Sequence, residues 1–174
     1  MANSPDFSRF VRDVPDFPEP GIVFKDITPL LRDTAMFDRT VTAMSDPYAD
    51  AAIDVVVGIE ARGFIFAAPI AIRLEAGFVP LRKVGKLPGS TRAETYDLEY
   101  GTATLEVHED AFGPGDKVLI VDDVLATGGT AAAAARLIDR CQADVVGLAF
   151  LIELSFLDGA RLLDDRPYSA LITY

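Results

Sequence analysis

The chain has 174 residues, half of them hydrophobic, which suits one domain with a sizeable core and excludes a disordered polymer. Sixteen basic residues against 27 acidic ones leave a net charge of −11, a surface that repels nucleic acid and anionic membranes. No apolar run approaches the roughly 20 residues of a bilayer span. Met1 to Arg12 lacks the apolar stretch of a signal peptide, and the lone Cys141 has no internal disulfide partner, which points to a reducing cytoplasm. With a single histidine, His108, a zinc site is not expected; His108 and Cys141 both read as structural residues.

In chain order, Ala35-Met36-Phe37 opens a helix that ends near Ser45-Asp46-Pro47, with Thr34 as its predicted cap. Ile53 to Val57 is a β-branched run and reads as a buried strand. Gly63 to Leu74 is long and apolar enough for a helix stopped by Gly77, with Pro69 expected in a kink or in the first turns. Phe78 to Leu81 is a short strand, and Tyr96–Tyr100 and Thr102–Val107 alternate as two strands around Gly101. After the Gly113-Pro114-Gly115-Asp116 turn come a strand at Val118–Val121, a helix from Ala131 to Arg140 and a strand at Val145–Leu151. A short helix near Leu157–Leu163 and a last strand at Ala170–Thr173 complete the chain. Strands alternating with helices imply an α/β fold, a mostly parallel central sheet flanked by helices, in which ligands bind beyond the carboxyl ends of the strands. The segments at Gly58, Lys83 and Asp122 are expected to gather at that edge.

One segment carries the most chemistry. The strand Val118–Val121 runs into Asp122-Asp123, then Ala126-Thr127-Gly128-Gly129-Thr130, then a helix. Backbone N–H groups and the dipole at a helix start favour an anion, and glycines admit a phosphate close to the main chain. Ala126, Thr127, Gly128, Gly129 and Thr130 are therefore candidates for holding a sugar phosphate, with Asp122 and Asp123 accepting from sugar hydroxyls or lying near a hydrated Mg²⁺. A phosphate ligand on so acidic a chain needs a local reversal of sign, and Arg82, Lys83, Lys86 and Arg92 supply one.

The segment resembles the phosphoribosyl pyrophosphate signature of the type I phosphoribosyltransferases. Further blocks resemble the adenine phosphoribosyltransferases among them: Pro15-Asp16-Phe17-Pro18, Pro20 to Leu31, Gly58-Ile59-Glu60-Ala61-Arg62-Gly63-Phe64, Arg82 to Gly89, and Tyr96-Asp97-Leu98-Glu99-Tyr100-Gly101. The resemblance runs from about Phe10 to the C-terminus. It implies the type I fold as a single domain over 1–174, with hood elements from about 1–35 and the C-terminal region and a flexible loop at about 83–100. It implies transfer of a 5-phosphoribosyl group to adenine, giving AMP and pyrophosphate in purine salvage, with Mg²⁺, in a cytoplasmic homodimer.

The resemblance also implies residue roles. Ala61 and Arg62 would bind pyrophosphate in a loop whose peptide before the arginine is often cis. Arg82, Lys83 and Lys86 would serve the same group, with Lys83 reaching pyrophosphate and Arg82 facing a dimer interface. Glu99 would be the general acid/base near adenine N7, with Asp122 and Asp123 completing the catalytic set, and Tyr100 would position the loop or the substrate. Phe24 and Leu154 would sandwich the adenine, while the main chain of Val23 and Lys25 reads its edge. A non-enzymatic sensor of the donor is disfavoured by the acidic charge and by the presence of Glu99 and the basic loop.

Overall fold

The computed structural model describes residues 6–97 and 101–174. A small antiparallel pair, β1 (Arg12–Pro15) and β2 (Val23–Asp26), precedes α1 (Thr28–Arg32) and α2 (Thr34–Ser45). The sheet strands are β3 (Val55–Ile59), β4 (Gly77–Lys83), β5 (Thr91–Asp97), β6 (Thr102–His108), β7 (Lys117–Leu125), β8 (Asp144–Glu153) and β9 (Tyr168–Thr173). Helix α3 (Gly63–Arg73) follows β3 and α4 (Gly129–Arg140) follows β7. The strands form one sheet in the order β5-β6-β4-β3-β7-β8-β9. β4, β3, β7, β8 and β9 are mutually parallel, and β6 and β5 extend the β4 edge antiparallel. The expected α/β architecture is present.

Alternation along the central strands explains why both faces are covered. Val55, Val57 and Ile59 of β3 and Val118 and Ile120 of β7 pack toward α4. Val56, Leu119 and Val121 point to the opposite side, against Phe66 and Ile70 of α3 and Met44 of α2. The run Ala131 to Ala135 is buried. Small side chains at these positions bring α4 close to the sheet and favour the helix intrinsically.

Several expected boundaries shift. The cap of α2 is Asp33, whose carboxylate accepts from Met36 N at 3.0 Å, and Thr34 is the first helical residue. Pro69 lies in the interior of α3, not its first turns, and leaves the Ile65 carbonyl without a helical donor. The second strand of the hairpin fits its expected span, but the first covers Thr91–Asp97 and starts five residues earlier than expected; Leu98, Glu99 and Tyr100 lie outside the described residues. β7 runs four residues past Val121, so Asp122 and Asp123 are strand residues. The segment after β8 forms two short 3-10 turns, Ser155–Leu157 and Gly159–Leu163.

The parallel order places β4, β3 and β7 side by side, so their carboxyl ends meet. The turn after β3, the basic end of β4 and the acid pair of β7 thus share one edge.

Candidate active site

At that edge lies a cleft of about 560 Å³. The end of β2 contributes Val23, Phe24 and Lys25, the turn after β3 contributes Glu60, Ala61 and Arg62, and β4 ends in it at Lys83. Asp122, Asp123, Ala126 and Thr130 come from β7 and its loop, and Leu154 follows β8. The chain therefore brings expected base, pyrophosphate and ribose residues to one cleft from five separate segments. Ile22, Tyr96, Ala103 and Leu105 also line it and were not among the sequence candidates.

A smaller recess of about 80 Å³ adjoins the cleft, formed by Asp122, Val124–Gly128, Thr130 and Ala131. It lies where the phosphate loop turns into α4. Gly128 precedes α4 with φ +82°, a conformation open to glycine without strain. A β-carbon there would run into the main chain of Gly159, and one on Gly159 would run into Ala126 and Gly128. Gly159 thus backs the phosphate loop, a role no local sequence signal announces. Gly129 does not line the recess; it faces the Tyr96 ring and the Asp97 carbonyl of β5.

The two acids sit in different surroundings. Asp123 is 4% exposed, and its Oδ2 lies 2.7 Å from Arg62 Nε without an aligned hydrogen bond. Burial pushes the Asp123 carboxyl up, and the Arg62 charge offsets part of that rise. Asp122 is pushed well above the ordinary carboxylate range by burial and then by the Asp123 charge beside it. Its Oδ1 accepts from Asp123 N at 2.8 Å. Behind it stands Gly63, the first residue of α3, where a β-carbon would come within 2.7 Å of the Val121 carbonyl and 3.0 Å of Asp122 Oδ1.

Arg62 follows a cis peptide between Glu60 and Ala61, so the cis bond falls one residue ahead of the bond joining Ala61 to Arg62. The Arg62 guanidinium lies 5.0 Å from the Phe24 ring centroid as well as against Asp123. Phe24 packs edge-on to Phe17 at 5.2 Å, which fixes the ring beside the cleft. Lys25 turns its amine away, 2.8 Å from Asp13 and 3.8 Å over the Tyr174 ring.

Of the basic residues, Lys83 lines the cleft and Arg82 and Lys86 do not. Both are held by Glu60: Arg82 Nε donates to it at 3.2 Å, Lys86 Nζ binds its other oxygen, and Lys83 N donates at 3.0 Å. Burial alone would raise the Glu60 carboxyl, but these donors, Lys86 foremost, hold it at about 2. Glu106 holds the next part of the loop, accepting from Lys86 N at 3.1 Å and Leu87 N at 3.0 Å. Neither carboxylate was among the sequence candidates, because their partners lie about 20 residues away in the chain. His108 is partnered, its Nε2 lying 2.9 Å from the Pro88 carbonyl oxygen.

Among the described residues, no group of three or more His, Cys, Asp or Glu side chains could cage a metal, and no helix is long and apolar enough to cross a membrane. Glu99 and Tyr100 lie outside the described residues.

The phosphoribosyl transferase domain matches residues 31–168 of the chain. A relative from Thermobifida fusca (strain YX), an adenine phosphoribosyltransferase, is 61% identical over 165 residues, covering 95% of this chain and 94% of its own. The adenine phosphoribosyltransferase of Acidothermus cellulolyticus is 66% identical over 162 residues, or 93% and 92% of the two chains. Among solved structures, the enzyme of that name from Rhodothermus marinus DSM 4252 superposes with a TM-score of 0.93 at 52% identity, covering 97% of this chain and 96% of the other. The Saccharomyces cerevisiae enzyme, crystallised with adenine and an imino-altritol bisphosphate, gives 0.89 at 38% identity, with 95% and 98% covered.

Proposed function

This chain belongs to the adenine phosphoribosyltransferases, within the phosphoribosyl transferase domain family, and on that premise we propose how its own residues carry out the transfer. Adenine and 5-phosphoribosyl 1-pyrophosphate give AMP and pyrophosphate, a purine salvage step. The observation that carries the assignment of roles is the meeting of Phe24, Arg62, Asp123, Ala126 and Thr130 in one cleft, with the recess of Thr127 and Gly128 adjoining it.

The N–H groups at the start of α4, with Thr127 and Thr130, hold the 5-phosphate in the recess that Gly128 keeps open. Asp122 and Asp123 accept from the ribose hydroxyls. Asp123 Oδ2, charge-paired but without an aligned donor among the described residues, supports this, since a ribose hydroxyl would supply one. Ala61, Arg62 and Lys83 receive pyrophosphate, with Arg62 leaving Asp123 and Phe24 to do so. Arg82 and Lys86, held by Glu60, contribute positive field from the second rank. Adenine stacks between Phe24 and Leu154, and the main chain of Val23 and Lys25 reads its edge.

In the reaction the N9 lone pair forms the bond to ribose C1 while the bond from C1 to the pyrophosphate oxygen breaks with its electron pair leaving on that oxygen. With its proton on N7, the base gains positive charge over its five-membered ring as N9 bonds to C1, and Glu99, by family resemblance, takes that one proton from N7 as a carboxylate, leaving the base neutral. Tyr100 beside it positions the loop. The donor set fits a Mg²⁺ that keeps most of its ligands from substrate and water, with Asp122 and Asp123 nearby, because two carboxylates cannot form a cage alone. When bound, that ion would neutralise charge on the departing pyrophosphate.

The protein acts as a cytoplasmic homodimer in this reading. The unpaired Cys141 is consistent with a reducing compartment. An apolar strip on the outer face of α3, Ile65, Ala68 and Ile72, with Phe78 beside it, supports a subunit contact; Ile72 is 80% exposed. A steady-state assay with adenine, hypoxanthine, guanine or xanthine, the donor and Mg²⁺ tests the function. Adenine is expected to be preferred, and turnover of hypoxanthine or guanine equal to that of adenine would refute it.

A further inference from the structure

Strand β5, which precedes Glu99 in the chain, is fastened to α4 along its length. Arg136 Nε donates to Glu94 at 2.9 Å and Arg140 Nη1 to the same carboxylate at 2.7 Å. Arg140 also donates to the Ala93 carbonyl at 3.1 Å, and Arg92 donates to the Arg140 carbonyl at 3.1 Å. At the other end of α4, where the phosphate loop enters it, the Tyr96 hydroxyl lies 3.0 Å from Thr130 Oγ1. Tyr96 is 8% exposed, and its ring packs beside Gly129. The strand is thus tied to the helix at both ends, and the tie nearest the phosphate is one hydroxyl pair.

We infer that Tyr96 is a positioning residue for the sugar phosphate: its phenol sets the direction of the Thr130 hydroxyl and joins occupancy of the phosphate loop to strand β5. The inference rests on the reading of Thr130 as a phosphate ligand. A threonine hydroxyl has one proton to give. A phosphate oxygen only accepts, so with the anion present that proton points into the recess. The Thr130 oxygen must then accept, and the neighbouring group able to donate is the Tyr96 phenol. Without a ligand the pair can be polarised either way; with a phosphate only one direction serves. Phosphate binding therefore strengthens a side-chain link between the phosphate loop and β5, a strand whose other hydrogen bonds to α4 among the described residues involve charged, more exposed side chains.

Tyr96→Phe removes only the hydroxyl. KM for the donor is expected to rise about threefold to tenfold, the value of one neutral hydrogen bond. KM for adenine and kcat should stay within about twofold of wild type, a split that general damage to packing would not give. Backbone hydrogen exchange in Thr91–Asp97 should slow when ribose 5-phosphate saturates the wild type and should not slow in the variant. A wild-type donor KM together with intact protection in Tyr96→Phe would overturn the inference. Ribose 5-phosphate binding to Thr130→Ala separates the two readings. Weakened binding there with wild-type behaviour in Tyr96→Phe refutes the tyrosine's role alone; unchanged binding refutes the phosphate site and the tyrosine's role with it. If Tyr96→Phe does not fold, Thr130→Ser and Thr130→Val replace it. Serine is expected to keep the ligand-induced protection of β5 and valine to lose it, and equal behaviour of the two would overturn the inference.

Discussion

Gly128 and Gly159 press main chain against main chain, so that neither position has room for a β-carbon. Gly159 lies 31 residues downstream in a 3-10 turn, yet it shapes the floor of the phosphate recess. Gly159→Ala should displace Ala126 to Gly128, raising KM for the donor at least about tenfold and lowering stability by about 1–3 kcal/mol, the usual penalty for overpacking. Steady-state kinetics with a chemical denaturation curve checks both. A wild-type donor KM in a stable variant would remove Gly159 from the site.

Asp123 and Glu99 are expected to matter for different steps. Asp123→Asn removes the charge that pairs with Arg62 and receives the ribose, and Glu99→Gln removes the proton-exchanging carboxyl. Each should cut AMP formation by at least about tenfold. Near-wild-type turnover in both would sink the roles given to them.

Asp122 should trade stability for function. Its carboxyl is held above the ordinary range by burial and by Asp123, so the folded chain keeps its proton to higher pH than the unfolded chain. A raised pKa of this kind favours folding at low pH, and the benefit is lost as pH rises through the folded value. Asp122→Asn removes the burial of charge, and its melting temperature should exceed that of wild type where Asp122 is ionised, by about 2–4 °C, the shift for about 1 kcal/mol in a chain of this size. The difference should shrink as pH falls and Asp122 takes up its proton, while donor binding weakens at every pH. Equal melting temperatures throughout would contradict the cost assigned to Asp122.

Glu60 runs the other way. Its folded value of about 2 lies below the ordinary glutamate value of 4.5. The clamp on Arg82 and Lys86 therefore contributes fully above about pH 4.5 and is lost as pH falls toward 2. Protection against hydrogen exchange in residues 82–87, relative to the intrinsic rate at each pH, should fall over that interval in the wild type. Glu60→Gln should show fast exchange there already at pH 7, with little further change on acidification. A variant that still loosens between those pH values would point to another carboxylate.

The parts of the site that could be read from the sequence are those built by local chemistry. An apolar strand, two acids, a glycine loop and an alanine-rich helix are contiguous, and each element forms for reasons found within it. The limits of β7 were misread because Asp122 and Asp123 look like the end of a strand, while pairing with β8 carries the ladder through to Leu125. The start of β5 was missed for a related reason. Glu94 meets Arg136 and Arg140 of α4, so its covered face is charged and shows no hydrophobic alternation. β1 and β2 are short and contain no fully buried residue, and leave little periodic signal. Glu60, Gly159 and the Tyr96–Thr130 pair act through neighbours far away in the chain, where only the folded sheet brings them together.

The contact of Gly63 with Val121 and Asp122 has a consequence for how such a site can change. The spacing between the leaving-group side and the sugar side is set by backbone touching backbone, where no substitution has latitude. The cleft walls proposed to hold the base come from elsewhere, from β2 and the residue after β8, on side chains that a point change can reshape. Transfer geometry and choice of base are thereby separable inheritances: the walls proposed for the base, Phe24 and Leu154, can be altered one side chain at a time, whereas the distance across which the ribose is handed over is not open to revision one residue at a time.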